Sequence, residues 1–179
     1  EPSSIDPQFS RTGNNQGTAQ LMFGRLIEQD ANLQISPGLA TEWTAVDDTT
    51  WDIKLRDGVK FHDGSTMTAD DVIFSLERTD EVPNSPAPFS DMVSSIDSME
   101  KVDDLTVRIK TKEPAPALIE DIGRVFIISK AAAEGKTSED FNSGDATVGT
   151  GPYKFVSFKP GESLTIEAFD GYWGERPDF

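Results

Sequence analysis

The only imidazole of the chain, His62, stands beside a carboxylate in the run Phe61-His62-Asp63-Gly64. An imidazole oriented by an acid can carry a proton near neutral pH. No nucleophile lies at a spacing that would use it. Asp57-Gly58 and Asp63-Gly64 are turn formers, so His62 and Asp63 are expected to shape a tight turn. Asp70 and Asp71 are adjacent carboxylates. Acid–base work needs two carboxyl groups held at set distances. Consecutive helix residues point about 100° apart, so these two diverge. Their place just after Thr68 is that of a helix start, where negative charge suits the dipole. Gly149-Thr150-Gly151 has the glycines of a phosphate-cradling loop but lacks the Lys and hydroxyl that complete one. Pro152 and a strand follow where a helix would be needed, so the segment reads as a structural turn. One His, no Cys and scattered acids form no metal constellation, and no cofactor is expected.

Arg124 differs from these. It lies between Gly123 and the apolar run Val125 to Ile128. A guanidinium at the mouth of a buried strand can hold a ligand carboxylate through two parallel hydrogen bonds. It can also snorkel, or pair with Glu120 or Asp121. Met22, Phe23, Phe89 and Met92 stand near loop or helix ends. Thioether and aromatic side chains there can line an adaptable pocket, although core is their usual fate.

The whole chain bounds these readings. Its 179 residues suit one ordinary domain, or one lobe of a larger protein. The composition is that of a folded globular chain, with 36% hydrophobic and 27% charged residues. A net charge of −16 opposes binding to nucleic acid or to an anionic membrane surface. The lack of Cys excludes disulfides and thiolate metal sites. No stretch approaches the ~20 apolar residues that span a bilayer.

The elements that position these residues are read from periodicity. Thr18 to Ile27 reads as a helix, apolar nearly all round and therefore buried. Ser36-Pro37-Gly38 is a turn. Thr50 to Arg56 is a strand, with Trp51, Ile53 and Leu55 on one face and Asp52, Lys54 and Arg56 on the other. Thr68 caps a helix that runs to about Arg78. Strands are expected over Ser95 to Val102 and Leu105 to Thr111. Pro114 to Ile122 reads as a short helix, Val125 to Ile128 as a short strand, and Ser129 to Gly135 as a helix ended by Gly. A last hairpin joins Tyr153–Phe158 to Ser163–Phe169. Hairpins dominate, and no sustained βαβ rhythm appears.

Several of these segments, in order, resemble the solute-binding proteins that serve peptide, nickel and related ABC importers. Ile5-Asp6-Pro7 is similar to the family's Leu-Asp-Pro opening. Phe23-Gly24-Arg25-Leu26 stands where a Tyr-Glu-x-Leu segment is usual. Pro37 to Trp43 resembles its P-x-L-A-x-x-W stretch. Trp51 to Gly64 is very similar to its signature strand and turns, and Thr68 to Leu76 to the helix that follows. Gly149-Thr150-Gly151-Pro152-Tyr153 and Tyr172-Trp173 match two later landmarks.

The resemblance implies an α+β (mixed α/β) fold: the N-terminal part of a type II periplasmic-binding-protein lobe, with a hairpin-rich mixed sheet. Residues 1–179 would be part of lobe I. Within it, 1–40 and 145–179 would form the main lobe sheet, and 41–144 a family-specific subdomain with peripheral elements; the second lobe is absent. It also implies a non-enzymatic, monomeric receptor, periplasmic or tethered to the cell surface, with no nucleic-acid partner. The receptor would capture a short peptide or similar small polar solute for an ABC permease. Met22, Phe23, Phe89, Met92 and Arg124 are its expected ligand contacts. Two rival readings are a secreted hydrolase with paired carboxylates, and a module docking a partner through an exposed Tyr172-Trp173 end.

Overall fold

The structure is a computed structural model that describes residues 2–177. Helix α1 (Gly13–Met22) leads into the short strands β1 (Gly24–Arg25), β2 (Ile27–Gln29) and β3 (Ile35–Pro37). A long hairpin follows, β4 (Ala40–Asp47) and β5 (Thr50–Leu55), then helix α2 (Ala69–Arg78). A 3-10 turn at Ser90–Val93 precedes β6 (Ile96–Asp103) and β7 (Thr106–Thr111). Next come α3 (Leu118–Ile122), β8 (Phe126–Ile127), α4 (Lys130–Ala133) and α5 (Ser138–Ser143). The hairpin of β9 (Tyr153–Lys159) and β10 (Ser163–Ala168) completes the described elements.

The largest sheet is antiparallel, in the order β4-β5-β7-β6. Its period-2 pattern decides its faces. Ile53, Leu55, Val107 and Ile109 are buried, and α2 lies against β6 and β7. The opposite face is charged: Arg108 donates to both oxygens of Asp52, at 2.7 and 2.9 Å, across the β5–β7 pair. Three two-stranded sheets pair β1 with β8, β2 with β3 and β9 with β10, all antiparallel. The expected hairpin-rich mixed fold is present.

Thr68 is the N-cap of α2, and its N–H donates to the Asp71 carboxylate at 2.9 Å. Asp70 turns away to Lys101, at 2.8 Å. The two acids diverge, as consecutive helical residues do. Burial pushes the Asp71 carboxyl above the usual range.

The first helix departs from expectation. It ends at Met22, five residues earlier than its apolar run, and begins at Gly13. Phe23 is extended, with φ −126° and ψ 146°, and β1 pairs with β8. A short apolar run serves a buried helix end and a buried strand equally well, so periodicity could not place the boundary. The expected 114–122 helix begins at Leu118, because Pro116 disfavours helical backbone at the preceding Ala115. Helix α5 and the β2–β3 hairpin were not anticipated. Helix α5 is polar and buries only Phe141.

A buried ion pair closes the N-terminal segment onto this frame. Arg78 donates to both carboxylate oxygens of Asp6, at 3.0 and 2.7 Å, and to Gln8 Oε1 at 3.2 Å. Ser138 adds a hydroxyl donor to Asp6 at 2.7 Å. The Arg78 guanidinium also lies over the Phe141 ring, 4.7 Å from its centroid.

Candidate functional site

The site grows from the end of α1. The loop Gly149-Thr150-Gly151 lies against that end, and Gly151 N–H donates to Met22 O at 3.0 Å. A Cβ on Gly149 would come 2.0 Å from Met22 O, and one on Gly151 would come 2.5 Å from Met22 C. The two glycines therefore serve close backbone approach and cap a helix C-terminus.

His62 holds the loop from the other side. Its Nε2 lies 3.0 Å from Gly151 O, and Gly149 N–H donates to Nδ1 at 3.3 Å. These two contacts require the neutral tautomer with the proton on Nε2. Burial lowers the pKa of the imidazole. Its ring also meets Phe169 edge-on, at 4.9 Å. Asp63 shapes the turn, accepting from Ser65 N–H and Oγ–H at 3.0 and 2.6 Å. His62 thus joins three distant segments, a reach that its sequence neighbours gave no sign of.

A stability consequence follows. The unfolded imidazole takes a proton near pH 6.5, and the folded one only at lower pH. The unfolded state binds more protons in that window, so stability falls as pH drops below about 6.5 and is complete above it. Thermal unfolding between about pH 7.5 and 5.5 should show this loss, and His62→Gln should remove it. Asp71 and Glu28, whose carboxyls burial raises, act in the opposite sense as they protonate. The difference between wild type and variant is therefore the quantity to read; equal profiles would refute the assignment.

The pinned loop carries the tail to α1. Phe169 N–H donates to Pro152 O at 2.9 Å, and Tyr172 N–H to Phe169 O at 3.2 Å. Tyr172 and Trp173 then stand across from β1 and β2. Between them lies an open groove of about 330 Å³, lined by Leu21, Gly24, Arg25, Glu28, Tyr172 and Trp173 among others. Arg25 sits on β1 opposite Phe126, with its guanidinium carbon 5.4 Å from the ring centroid. Its nearest acid is Glu28, at 3.7 Å. Burial pushes the Glu28 carboxyl up more than Arg25 pulls it down. Burial and the Glu28 charge both raise Tyr172. Arg56 stacks on Trp173 at 4.4 Å, and the Trp173 indole N–H is enclosed without an acceptor. One cation (Arg25), two acids (Glu28 and Glu175) and three aromatics (Phe23, Tyr172 and Trp173) therefore line a single volume large enough for a small solute.

The expected contact residues are dispersed. Met22, Phe23, Phe89 and Met92 are all buried in the core. Of these, only Phe23 borders the groove. Phe89 and Met92 belong to the 3-10 segment and its cap, away from it. Arg124 is exposed and lines a much smaller hollow, which it shares with Arg25, Glu120 and Gly123. Tyr172 and Trp173 are half-buried in the groove wall, not an exposed docking end. Arg25 and Glu28 were missed. The signal was available: a charge three residues from its opposite, inside an apolar stretch. Among the described residues, no group of three or more His, Cys, Asp or Glu is placed to hold a metal ion, and no helix is long and apolar enough to cross a membrane.

The family model described as bacterial extracellular solute-binding proteins, family 5 Middle, matches residues 34–179. The chain belongs to family 5 of the bacterial extracellular solute-binding proteins. The glutathione-binding protein GsiB of Pectobacterium atrosepticum is 33% identical to it over 174 residues, covering 96% of this chain and 33% of that relative. The dipeptide-binding protein of Escherichia coli K12 is 29% identical, covering 98% of this chain and 37% of that relative. The crystal structure of NikZ from Campylobacter jejuni with Ni(L-His) superposes with a TM-score of 0.84 at 30% identity, covering 98% of this chain and 35% of NikZ. This family 5 chain thus spans about a third of the length of the relatives it matches. The family's description is of extracellular solute-binding proteins, and its named relatives bind glutathione, dipeptides and oligopeptides.

Proposed function

We propose that this chain supplies one wall of the ligand cleft of an ABC importer's extracytoplasmic receptor. Its solute is a short peptide or a similarly small polar molecule. Family membership across residues 34–179 carries the reading. The groove beside α1 supports it, offering charge and aromatic surface over about 330 Å³. On this reading residues 1–40 and 145–179, which carry α1, β1 and the pinned loop, belong to the main lobe, and 41–144 to a subdomain around the four-stranded sheet, with the β1–β8 pair joining the two parts. Arg124 lines the small neighbouring hollow that shares Arg25 with the groove. The receptor is monomeric, and no bond is made or broken. Its work is desolvation of the solute and closure of a second wall over it, with the ligand stabilising the closed state by touching both sides.

The test is a thermal-shift screen of the longest chain carrying this segment. The panel holds di- to hexapeptides, glutathione, opines, oligosaccharides and nickel chelates. A ligand at 100 times its dissociation constant adds ~2.7 kcal/mol, which raises Tm by several degrees. One chemical class giving that rise identifies the cargo. A flat response across the panel refutes the receptor reading.

A further inference from the structure

Arg25 differs from the other well-packed arginines of the fold in what it leaves unused. Arg78 and Arg108 each spend a bidentate fork on a carboxylate. Arg56 donates through Nε to Gly38 O. Among the described residues, Arg25 makes no side-chain hydrogen bond; its one ion pair, with Glu28, is 3.7 Å long. Yet it is not a loose surface side chain. It is 23% exposed, anchored on a strand paired to buried β8, and seated over the Phe126 ring. A held guanidinium with free donors has already met the ordering cost of binding an anion. It is also the side chain common to the groove and to the hollow that Arg124 lines.

We infer that Arg25 is a specificity-determining residue that takes a free carboxylate of the solute in the groove, with Glu28 as its internal competitor. The inference rests on the receptor reading and adds the chemical class of the cargo. A carboxylate matches the guanidinium fork with two parallel hydrogen bonds, which an amide or hydroxyl does not. Glu28 and Glu175 both line the groove, but of the two only Glu28 pairs with Arg25, at 3.7 Å, too far for a hydrogen bond yet near enough to hold the charge until a solute arrives. The arrangement therefore makes the two neighbours act with opposite sign: removing the cation weakens binding of acids, and removing the anion strengthens it.

The experiment uses the longest chain carrying this segment and two probes. One is a mixture of di- to tetrapeptides as free acids; the other is the same mixture as C-terminal amides. Wild type should bind the acids about tenfold more tightly than the amides, the worth of one charge-assisted contact. Arg25→Gln should bring the acids down to the amide level without moving the amides. Arg25→Lys should fall between, since it keeps the charge and loses the fork. Glu28→Gln should tighten acid binding severalfold, a gain that a damaged fold would not give. Equal binding of acids and amides by wild type, or an acid preference that survives in Arg25→Gln, overturns the inference and leaves the receptor reading standing. Binding of neither mixture overturns the inference; the receptor reading falls only if the other solute classes fail as well.

Discussion

Arg78→Met should destabilise the chain by about 3–5 kcal/mol, most of the margin of an ordinary domain. The size comes from what is left behind. Asp6 is fully enclosed, and its carboxylate takes three of its contacts from Arg78 and Ser138. Without the guanidinium, a buried negative charge keeps a hydroxyl and one backbone N–H, that of Gln8 at 3.0 Å. Gln8 loses a donor to its side-chain oxygen as well. Asp6→Leu together with Arg78→Met should be milder than Arg78→Met alone, because an apolar pair leaves no uncompensated charge. Urea unfolding of both variants decides the matter. A loss under about 1 kcal/mol for Arg78→Met would mean that the pair is solvated and works like a surface bridge.

Gly149→Ala should cost about 3 kcal/mol, at the upper end for overpacking. A new methyl there overlaps Met22 O at 2.0 Å and Phe23 Cδ1 at 2.7 Å. The first of these is backbone, and it belongs to a helix end that cannot recede without breaking the Gly151 N–H bond to Met22 O. Gly13→Ala is the matched control, since nothing lies within 4 Å of the added carbon. It should be neutral or mildly stabilising. The Tm difference between the two variants is the measurement, and equal Tm values would show that the loop does not rest on the helix end.

Where the sequence was informative, two independent signals agreed. The strand Thr50–Leu55 alternated cleanly, and helix α2 had both its cap and its apolar stripe, so both were placed within a residue or so. The segment from Leu21 to Ile27 had only hydrophobicity, which marks burial and not backbone shape. That one ambiguity hid the site. Read as helix, Arg25 was simply a polar residue inside a buried rod. Read as strand, it is a cation facing a groove. The test that singled out Arg124, a lone charge beside an apolar run, fits Arg25 equally well. For Met22, Phe23, Phe89 and Met92 the residue type states a preference for apolar surroundings and is silent on whether protein or solute provides them. The reach of His62 was invisible for another reason: its partners at 149, 151 and 169 lie about a hundred residues away.

The Asp6 lock also orders assembly in time. Its carboxylate finds Arg78 across 72 residues and Ser138 across 132. A chain made from its N-terminus presents the carboxylate first and the last of its donors much later. Ser138 lies beyond every strand of the four-stranded sheet, which occupies 40–111. The shell of donors around Asp6 is therefore complete only when the N-terminal segment, α2 and α5 are all in place.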